Sequence, residues 1–212
     1  MSALDRIAHF SNRQDELPNR ELARDLAATK DRKGIREIVA NLWNKDNDIQ
    51  ADCIKVLYEV GYIDGKLVAE YAEDFVKLLK SSNNRLVWGG MIALGTVARL
   101  KPEVVFADLA EIKKTMETGS VITVDNSVQV LAQAASNGGK YSKAMFPVLM
   151  AHLKTCRPKD VPQHSEKTLP AVSAANKSEF VKVLQKRMAD LSGSGLARVK
   201  KVVKAAESIQ RA

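Results

Sequence analysis

Apolar residues recur along the chain with the spacing of helix faces. Ile35, Ile38, Val39 and Leu42 lie three and four positions apart, which places them on one side of an α-helix. Steps of 37 residues lead from this set to three similar sets, in which only Lys113 breaks the apolar pattern. They are Ala72, Phe75, Val76 and Leu79, then Leu109, Ile112, Lys113 and Met116, then Phe146, Leu149, Met150 and Leu153. The chain is therefore predicted to repeat one helical unit.

A second group of positions repeats with the same step and predicts a second helix in each unit. Its members are Ile49, Cys53, Leu57 and Val60, then Leu86, Gly90, Leu94 and Val97, then Thr123, Ser127, Leu131 and Ala134. The second position is small each time, which allows a neighbouring helix to approach closely. First helices are expected at about 33–44, 66–80, 102–117, 139–154 and 176–190, and second helices at about 48–60, 84–99, 121–136 and 163–175.

Residues that favour helix ends agree with this division. Asp46, Asn83 and Ser120 lie at equivalent positions before the second helices, where their side-chain oxygens can accept from free backbone N–H groups. Asn176 with Glu179 resembles a capping box. Glycines are expected to end helices at Gly61, Gly138 and Gly193.

The regular step is lost near the end of the chain. Residues 157–164 contain two prolines and are predicted to form a loop, and the apolar set that follows is shifted to a step of 34 residues. We expect residues 1–31 to form an N-terminal cap, residues 33–190 the repeats and residues 195–211 a basic closing helix. All of these would belong to one domain spanning residues 1–212.

Paired helices of this length, with small residues inside the second helix, resemble HEAT repeats, which are close relatives of armadillo repeats. The resemblance is clearest in Asn-Arg-Leu-Val-Trp-Gly-Gly-Met-Ile-Ala-Leu-Gly-Thr-Val-Ala at residues 84–98 and extends over residues 33–190. It implies an all-α, right-handed superhelix of helical pairs whose second helices line the concave face. It also implies a binding scaffold, because such curved stacks serve many unrelated binding tasks.

The resemblance directs attention to the second-helix positions that lie opposite the apolar face. The candidate binding residues there are Arg85, Trp88, Ile92, Asn126, Gln129 and Lys55. Trp and Arg are enriched among interface hot spots, which favours a protein or peptide partner. The alternative is that Trp88 packs against a neighbouring repeat, and Trp43 is expected in the core.

Charge is concentrated in the last third of the chain. The net charge is +8, but residues 139–212 alone hold 15 Lys and Arg against 5 Asp and Glu. Such asymmetry can indicate nucleic-acid binding or only a well-solvated surface. The candidate polyanion-binding residues are Lys182, Lys186, Arg187, Arg198, Lys200, Lys201 and Lys204. Because aromatic residues are scarce there, duplex backbone binding is favoured over single-strand recognition.

Candidates for catalysis are few, and the chain is predicted not to be an enzyme. His152, Cys156, His164 and a carboxylate such as Asp160 could be drawn as a metal site, but the expected arrangement is one surface histidine, one packed cysteine and one loop histidine. The Gly-Ser-Gly at residues 193–195 is interpreted as a hinge and not a phosphate loop, because it lacks the P-loop lysine. Neither a metal nor a cofactor is predicted.

A remaining enzymatic alternative is a HEAT-like alkylpurine DNA glycosylase. Such enzymes resemble this chain in size, helical repeats and basic charge, and they combine concave aromatic residues with a carboxylate. Only Trp88 and Asp125 offer that combination here.

Composition restricts the class of protein further. Apolar residues make up 45% of the chain, too many for a disordered segment. No uninterrupted apolar run reaches the length of a membrane span. The first residues lack the order of a secretory signal, and two distant cysteines suggest no disulfide scaffold, so we expect a cytoplasmic protein. The sequence thus predicts a non-enzymatic scaffold for a protein or peptide, with sequence-independent nucleic-acid binding as the alternative.

Overall fold

A computed structural model describes residues 2–11, 13 and 15–210 of the chain. Within these ranges the regular structure is entirely helical, with short 3₁₀ turns between α-helices. The α-helices are α1 (Leu17–Thr29), α2 (Arg32–Ala40), α3 (Asn47–Asp64), α4 (Ala72–Leu78), α5 (Asn84–Val97), α6 (Pro102–Ala107), α7 (Leu109–Thr118), α8 (Val121–Ala135), α9 (Gly139–Thr155), α10 (Val161–Thr168), α11 (Lys177–Arg187) and α12 (Gly193–Glu207). The predicted all-α class is confirmed.

The helices form two layers of a right-handed superhelix. Helices α1, α3, α5, α8, α10 and α12 form one layer, in which each packs on the one before and the one after. The other layer contains α2, α4, α6, α7, α9 and α11. In this layer α2 packs on α3, α4 on α5, α6 and α7 on α8, α9 on α8 and α10, and α11 on α12. The layer that contains α1, α3, α5, α8, α10 and α12 includes the second helix of each predicted pair, and we call it the second-helix layer.

The core lies between the layers, at the positions that the 37-residue step predicts. Ile38, Phe75, Ile112 and Leu149, which are equivalent under the step, are all fully buried. The predicted second-helix positions are buried as well, and Lys113, which broke the pattern, is exposed. Trp43 was wrongly predicted in the core, because its side chain lies at the end of a 3₁₀ turn and is 52% exposed.

Side-chain caps begin the second helices as predicted. Asp46 accepts from the backbone N–H groups of Asp48 and Ile49, and Asn83 and Ser120 make equivalent bonds to the first turns of α5 and α8. The predicted capping box of Asn176 is wrong. The Asn176 carboxamide instead accepts from the Ser173 N–H and donates to the Ala171 carbonyl, so it shapes the preceding turn.

Several boundaries differ from the prediction for identifiable reasons. Gly61 does not end α3, which continues to Asp64, because the buried glycine makes room for the Thr96 side chain of α5. The first helix predicted at 102–117 is divided at Asp108 into α6 and α7. Gly138 follows the end of α8 in the left-handed region (φ 71°), whereas Gly193 (φ 52°) begins α12 and ends no helix.

The segment predicted as a loop is mostly helical. Pro158–Asp160 is a 3₁₀ turn and α10 begins at Val161, with Pro162 in its first turn, where proline needs no hydrogen-bond partner. Helix α10 is short, since Pro170 follows in a 3₁₀ turn. Residues 1, 12 and 14 of the predicted cap and residue 211 of the predicted closing helix lie outside the described residues.

Candidate functional site

Two neighbouring hollows lie along the second-helix layer. The N-terminal hollow, with a volume of about 700 Å³, is lined by residues of the N-terminal segment, α3 and α5, including Arg85, Trp88 and Lys55. The central groove, of about 670 Å³, is lined by residues of α3, α5, α8 and α10, including Ile92, Asn126 and Gln129. Trp88 and Ile92 are one turn apart on α5, so this helix connects the two hollows.

Trp88 forms part of the wall of the N-terminal hollow and is half-buried. Its ring lies 6.4 Å from that of Tyr58 on α3, with 53° between the ring planes. The contact holds the indole in place, while its remaining surface stays accessible, so the neighbouring repeat does not cover it completely. Arg85 at the rim is exposed and lies 3.8 Å from the Asp48 carboxylate.

Lys55 is a correction to the predicted set, because its ammonium is already engaged. The residue is only 7% exposed, and its Nζ lies 2.9 Å from Glu16 and 2.8 Å from Glu59. Burial alone would lower the pKa of Lys55, but hydrogen bonds to these two carboxylates raise it above its usual value. Lys55 therefore holds the start of α1 against α3, and its charge is not free for a partner.

The central groove combines amide side chains with an apolar wall. Asn126 donates through Nδ2 to the Ile122 carbonyl within its own helix, at 2.8 Å. Gln129 and Gln133 follow at one-turn intervals on α8, and within the described part of the chain their amides make no hydrogen bonds. Each amide offers both donors and an acceptor to a ligand.

The sequence prediction missed groove residues that α3 contributes. Tyr62 and Ile63 line the groove and are 62% and 54% exposed. They were missed because α3 was expected to end at Gly61. Arg99 of the α5 C-terminal end and Lys66 also line the groove and, within the described residues, make no ion pair, so this end of the groove is positively charged.

A chain of partly buried polar contacts joins α8, α9 and α10. His152 Nε2 lies 2.9 Å from His164 Nδ1, and His164 Nε2 lies 2.7 Å from Asp125 Oδ1. Gln163 donates to the other Asp125 oxygen at 3.1 Å. Burial, assisted by the neighbouring His164 ring, lowers the pKa of His152 to about 4, so that ring is neutral at pH 7.

Cys156 follows α9 and lies beside the two histidines. One potential metal-ligating atom from each of His152, Cys156 and His164 lies within 4.8 Å of the others. The expectation of a loop histidine is wrong, because His164 lies in α10 and is 1% exposed. Asp160 is not in this group; its carboxylate accepts a hydrogen bond from Arg157 at 2.6 Å.

The same contacts engage the carboxylate on which the glycosylase alternative depends. Asp125 is bound on both carboxylate oxygens by Gln163 and His164, and it lines neither hollow. Trp88 lines the N-terminal hollow, and Asp125 does not. The predicted combination of an aromatic platform and a free carboxylate is therefore not present in this pair.

The basic residues of the last third differ in availability. Lys182, Lys186, Lys200, Lys201 and Lys204 are exposed, and none forms a salt bridge within the described ranges.

Two predicted members of the basic set are corrected. Arg187 is only 9% exposed and donates to the carbonyls of Leu153 and Cys156 and to Asp190, so it connects α11 to the end of α9. Arg198 forms a bidentate pair with Glu166, at 2.8 and 2.6 Å, which ties α12 to α10.

Solved structures similar to this chain include an engineered protein and designed armadillo repeat proteins. A crystal structure of an engineered protein superimposes with a TM-score of 0.66 at 18% identity, covering 98% of each chain. A designed armadillo repeat protein in complex with the peptide (KR)4 gives 0.66 at 13% identity, covering 92% of this chain and 94% of the other. A computationally designed armadillo repeat protein for modular peptide recognition gives 0.62 at 12% identity, covering 90% and 94%. The fold is HEAT/armadillo-like.

Comparisons of sequence give no match. No protein-family model and no curated protein matches the chain. Among the described helices, none is long and apolar enough to cross a membrane.

Proposed function

We propose that this protein is a non-enzymatic scaffold that binds an extended peptide segment across the N-terminal hollow and the central groove. The observation that carries the proposal is that the two hollows lie side by side along α5, where Trp88 lines one and Ile92, one turn later, lines the other. Designed proteins of similar fold include one solved with the peptide (KR)4 and one designed for modular peptide recognition.

The two hollows favour different parts of a ligand. The exposed part of Trp88, fixed against Tyr58, suits an aromatic or aliphatic anchor side chain. The amides of Gln129 and Gln133 suit backbone N–H and C=O groups of an extended segment, which has no internal hydrogen bonds to satisfy them. A partner segment whose backbone N–H and C=O groups are already paired with one another would gain fewer hydrogen bonds from these amides.

Charge favours an acidic residue at one end of the segment. Arg99, Lys66 and Lys167 line the central groove, and among the described residues that line it Asp64 alone is acidic. In the N-terminal hollow the carboxylates are largely engaged, since Asp52 accepts from the His9 and Asn19 N–H groups and Glu16 pairs with Lys55. The proposed ligand thus has an apolar anchor at Trp88 and an acidic residue near Arg99.

Selection from a random peptide library tests this function. Peptides enriched on the immobilised protein are measured by fluorescence anisotropy against the intact chain and three variants. Trp88→Ala and Gln129→Ala should each weaken binding by about tenfold or more, as expected for hot-spot residues. Lys113→Ala, on α7 in the other layer, is the matched control and should leave the affinity unchanged. Failure to enrich any peptide, or enriched peptides that are indifferent to both groove variants, contradicts the proposal.

A second candidate function is sequence-independent polyanion binding by the last third of the chain. It is favoured by the five exposed lysines of α11 and α12 that have no acidic partner in the described residues. The loss of Arg187 and Arg198 to internal contacts reduces the predicted set from seven cations to five.

A further inference from the structure

Three side chains with metal-binding atoms converge where α9 ends and α10 begins. His152 lies in the last turn of α9, Cys156 directly follows that helix, and His164 is the fourth residue of α10. One nitrogen of each histidine and the cysteine sulfur lie within 4.8 Å of one another. Tetrahedral coordination of Zn²⁺ places such ligand atoms about 3.4–3.6 Å apart, so only small side-chain shifts separate this cluster from a coordinating geometry.

A carboxylate stands behind one of these histidines. Asp125 Oδ1 lies 2.7 Å from His164 Nε2, and Gln163 holds the other carboxylate oxygen. When the Asp125 carboxylate accepts a hydrogen bond from the Nε2–H group of His164, the ring keeps a lone pair on Nδ1, the atom that faces His152. A carboxylate behind a histidine ligand is the arrangement that fixes ring orientation and raises ligand basicity in metal sites.

We propose that His152, Cys156 and His164 bind one Zn²⁺ ion through two ring nitrogens and a thiolate. Imidazole and thiolate are the ligands that Zn²⁺ prefers, and three of them leave the fourth position to water. The ion replaces the hydrogen bond between the two rings, the remaining proton of His152 resides on Nδ1, and the Cys156 thiol proton passes to solvent.

Charges around the cluster partly offset one another. Asp125 and Asp160 are the nearby carboxylates and favour a bound cation, whereas the Arg187 guanidinium opposes it. His152 and Cys156 are half-buried and not sealed, which gives an ion access from solvent.

The consequence for the protein is a clamp at the irregular part of the repeat. The ion would join α9 to α10, the pair in which the 37-residue step is lost and in which α10 is only eight residues long. The site is separate from both hollows, none of whose lining residues belongs to it.

Metal titration of the intact chain tests the proposal. The protein is freed of metal with EDTA, exchanged into chelator-free buffer and titrated with Zn²⁺ by calorimetry and with Co²⁺ by absorption. We expect one Zn²⁺ per chain, a rise in melting temperature, and a cobalt spectrum with a thiolate charge-transfer band. Absence of saturable Zn²⁺ binding, or a cobalt spectrum without thiolate character, overturns it.

Substitutions distinguish the side chains that bind Zn²⁺ from those that do not. Cys156→Ser and His152→Gln should each weaken Zn²⁺ binding by at least about tenfold, and Asp125→Asn, which removes no ligand, by about 10–100-fold. His9→Gln is the control, because His9 is exposed and far from the cluster in sequence, and it should bind as the intact chain does. Unchanged binding by Cys156→Ser or His152→Gln overturns the proposal.

A measurement on the unmodified protein covers the case in which a variant fails to fold. Zn²⁺ should slow the alkylation of Cys156 by iodoacetamide by at least about tenfold, since a metal-bound thiolate is less available than a free one. An alkylation rate that Zn²⁺ does not change overturns the proposal and leaves only the hydrogen bond between the His152 and His164 rings.

Discussion

A β-carbon placed on Gly90 would lie 2.9 Å from the backbone carbonyl oxygen of Phe75. Helices α4 and α5 therefore meet so closely that the glycine leaves no room for even a methyl group. This contact explains why the second position of the repeated second-helix set is glycine in this unit. Cys53, Gly90 and Ser127 are all buried at equivalent positions of α3, α5 and α8.

Gly90→Ala should destabilise the protein by up to about 2 kcal/mol. The gain in helix propensity of about 1 kcal/mol is outweighed by an overpacking cost of about 1–3 kcal/mol against a backbone atom that cannot turn away. The measurement is urea unfolding followed by circular dichroism.

Gly95→Ala provides a matched control in the same helix. A β-carbon there would meet Gln129 and Val130 at 3.7 Å, an ordinary contact distance. The substitution should therefore stabilise the protein by about 0.5–1 kcal/mol through helix propensity. Equal effects of the two substitutions would contradict the packing argument.

Phe75→Ala should cost about 3–5 kcal/mol in free energy of unfolding. The ring is fully buried between α4 and α5, so its removal loses transfer free energy and leaves a cavity. Differential scanning calorimetry measures the effect, and an unchanged melting temperature would place Phe75 outside the core.

The two cysteines should differ sharply in reactivity in the absence of metal. Burial raises the pKa of the Cys53 thiol to about 12, and its side chain has no exposed surface. At pH 8 iodoacetamide should modify the half-buried Cys156 first and reach Cys53 only after unfolding in urea. Mass spectrometry of peptides distinguishes the two sites, and fast native labelling of Cys53 would be inconsistent with its burial.

Duplex DNA binding, if present, should be weak and steeply dependent on salt. With about four lysine–phosphate contacts, the logarithm of the binding constant falls against the logarithm of salt concentration with a slope near −3.6, about −0.9 per contact. Fluorescence anisotropy with unrelated duplexes measures this slope. If no binding is detected at about 50 mM salt, where screening is weak, the lysines form a solvated surface that does not bind DNA.

Substitutions are better suited to this test than truncation. Deleting residues 195–212 would remove Val199, Val202 and Val203, which α12 buries. The triple variant Lys200→Gln, Lys201→Gln and Lys204→Gln keeps the helix. It should make the slope less negative by up to about 2.7. Lys33→Gln, Lys45→Gln and Lys113→Gln, which remove three exposed lysines elsewhere, should leave it unchanged.

The repeat could be predicted from the sequence because its determinants are local. Helical periodicity and the N-caps Asp46, Asn83 and Ser120 depend on residues within a few positions of one another. Gly61 was misinterpreted for the opposite reason, since its place inside α3 depends on Thr96 in the next repeat. The groove residues beyond it, Tyr62 and Ile63, were lost with that boundary.

The roles of charged residues depend even more on distant partners. The spacing of Lys55 and Glu59 is visible in the sequence, but the second partner, Glu16, comes from the N-terminal segment. Arg187 likewise binds carbonyls more than thirty residues earlier. His164 and Asp125 meet only because α10 packs on α8, which the interpretation of residues 157–164 as a loop had concealed.

The helices of the second-helix layer are stacked in a single row, in which neighbours pack on each other. Within the second-helix layer, α3, α5, α8 and α10 each pack on the helix before and the helix after them, so the extensive contacts of this layer join neighbours. In such an array folding can nucleate in any adjacent pair and spread outward, and opening proceeds inward from the termini. Trp88 and the groove amides lie on α5 and α8, in the middle of the array, and so occupy the segment that fraying reaches last.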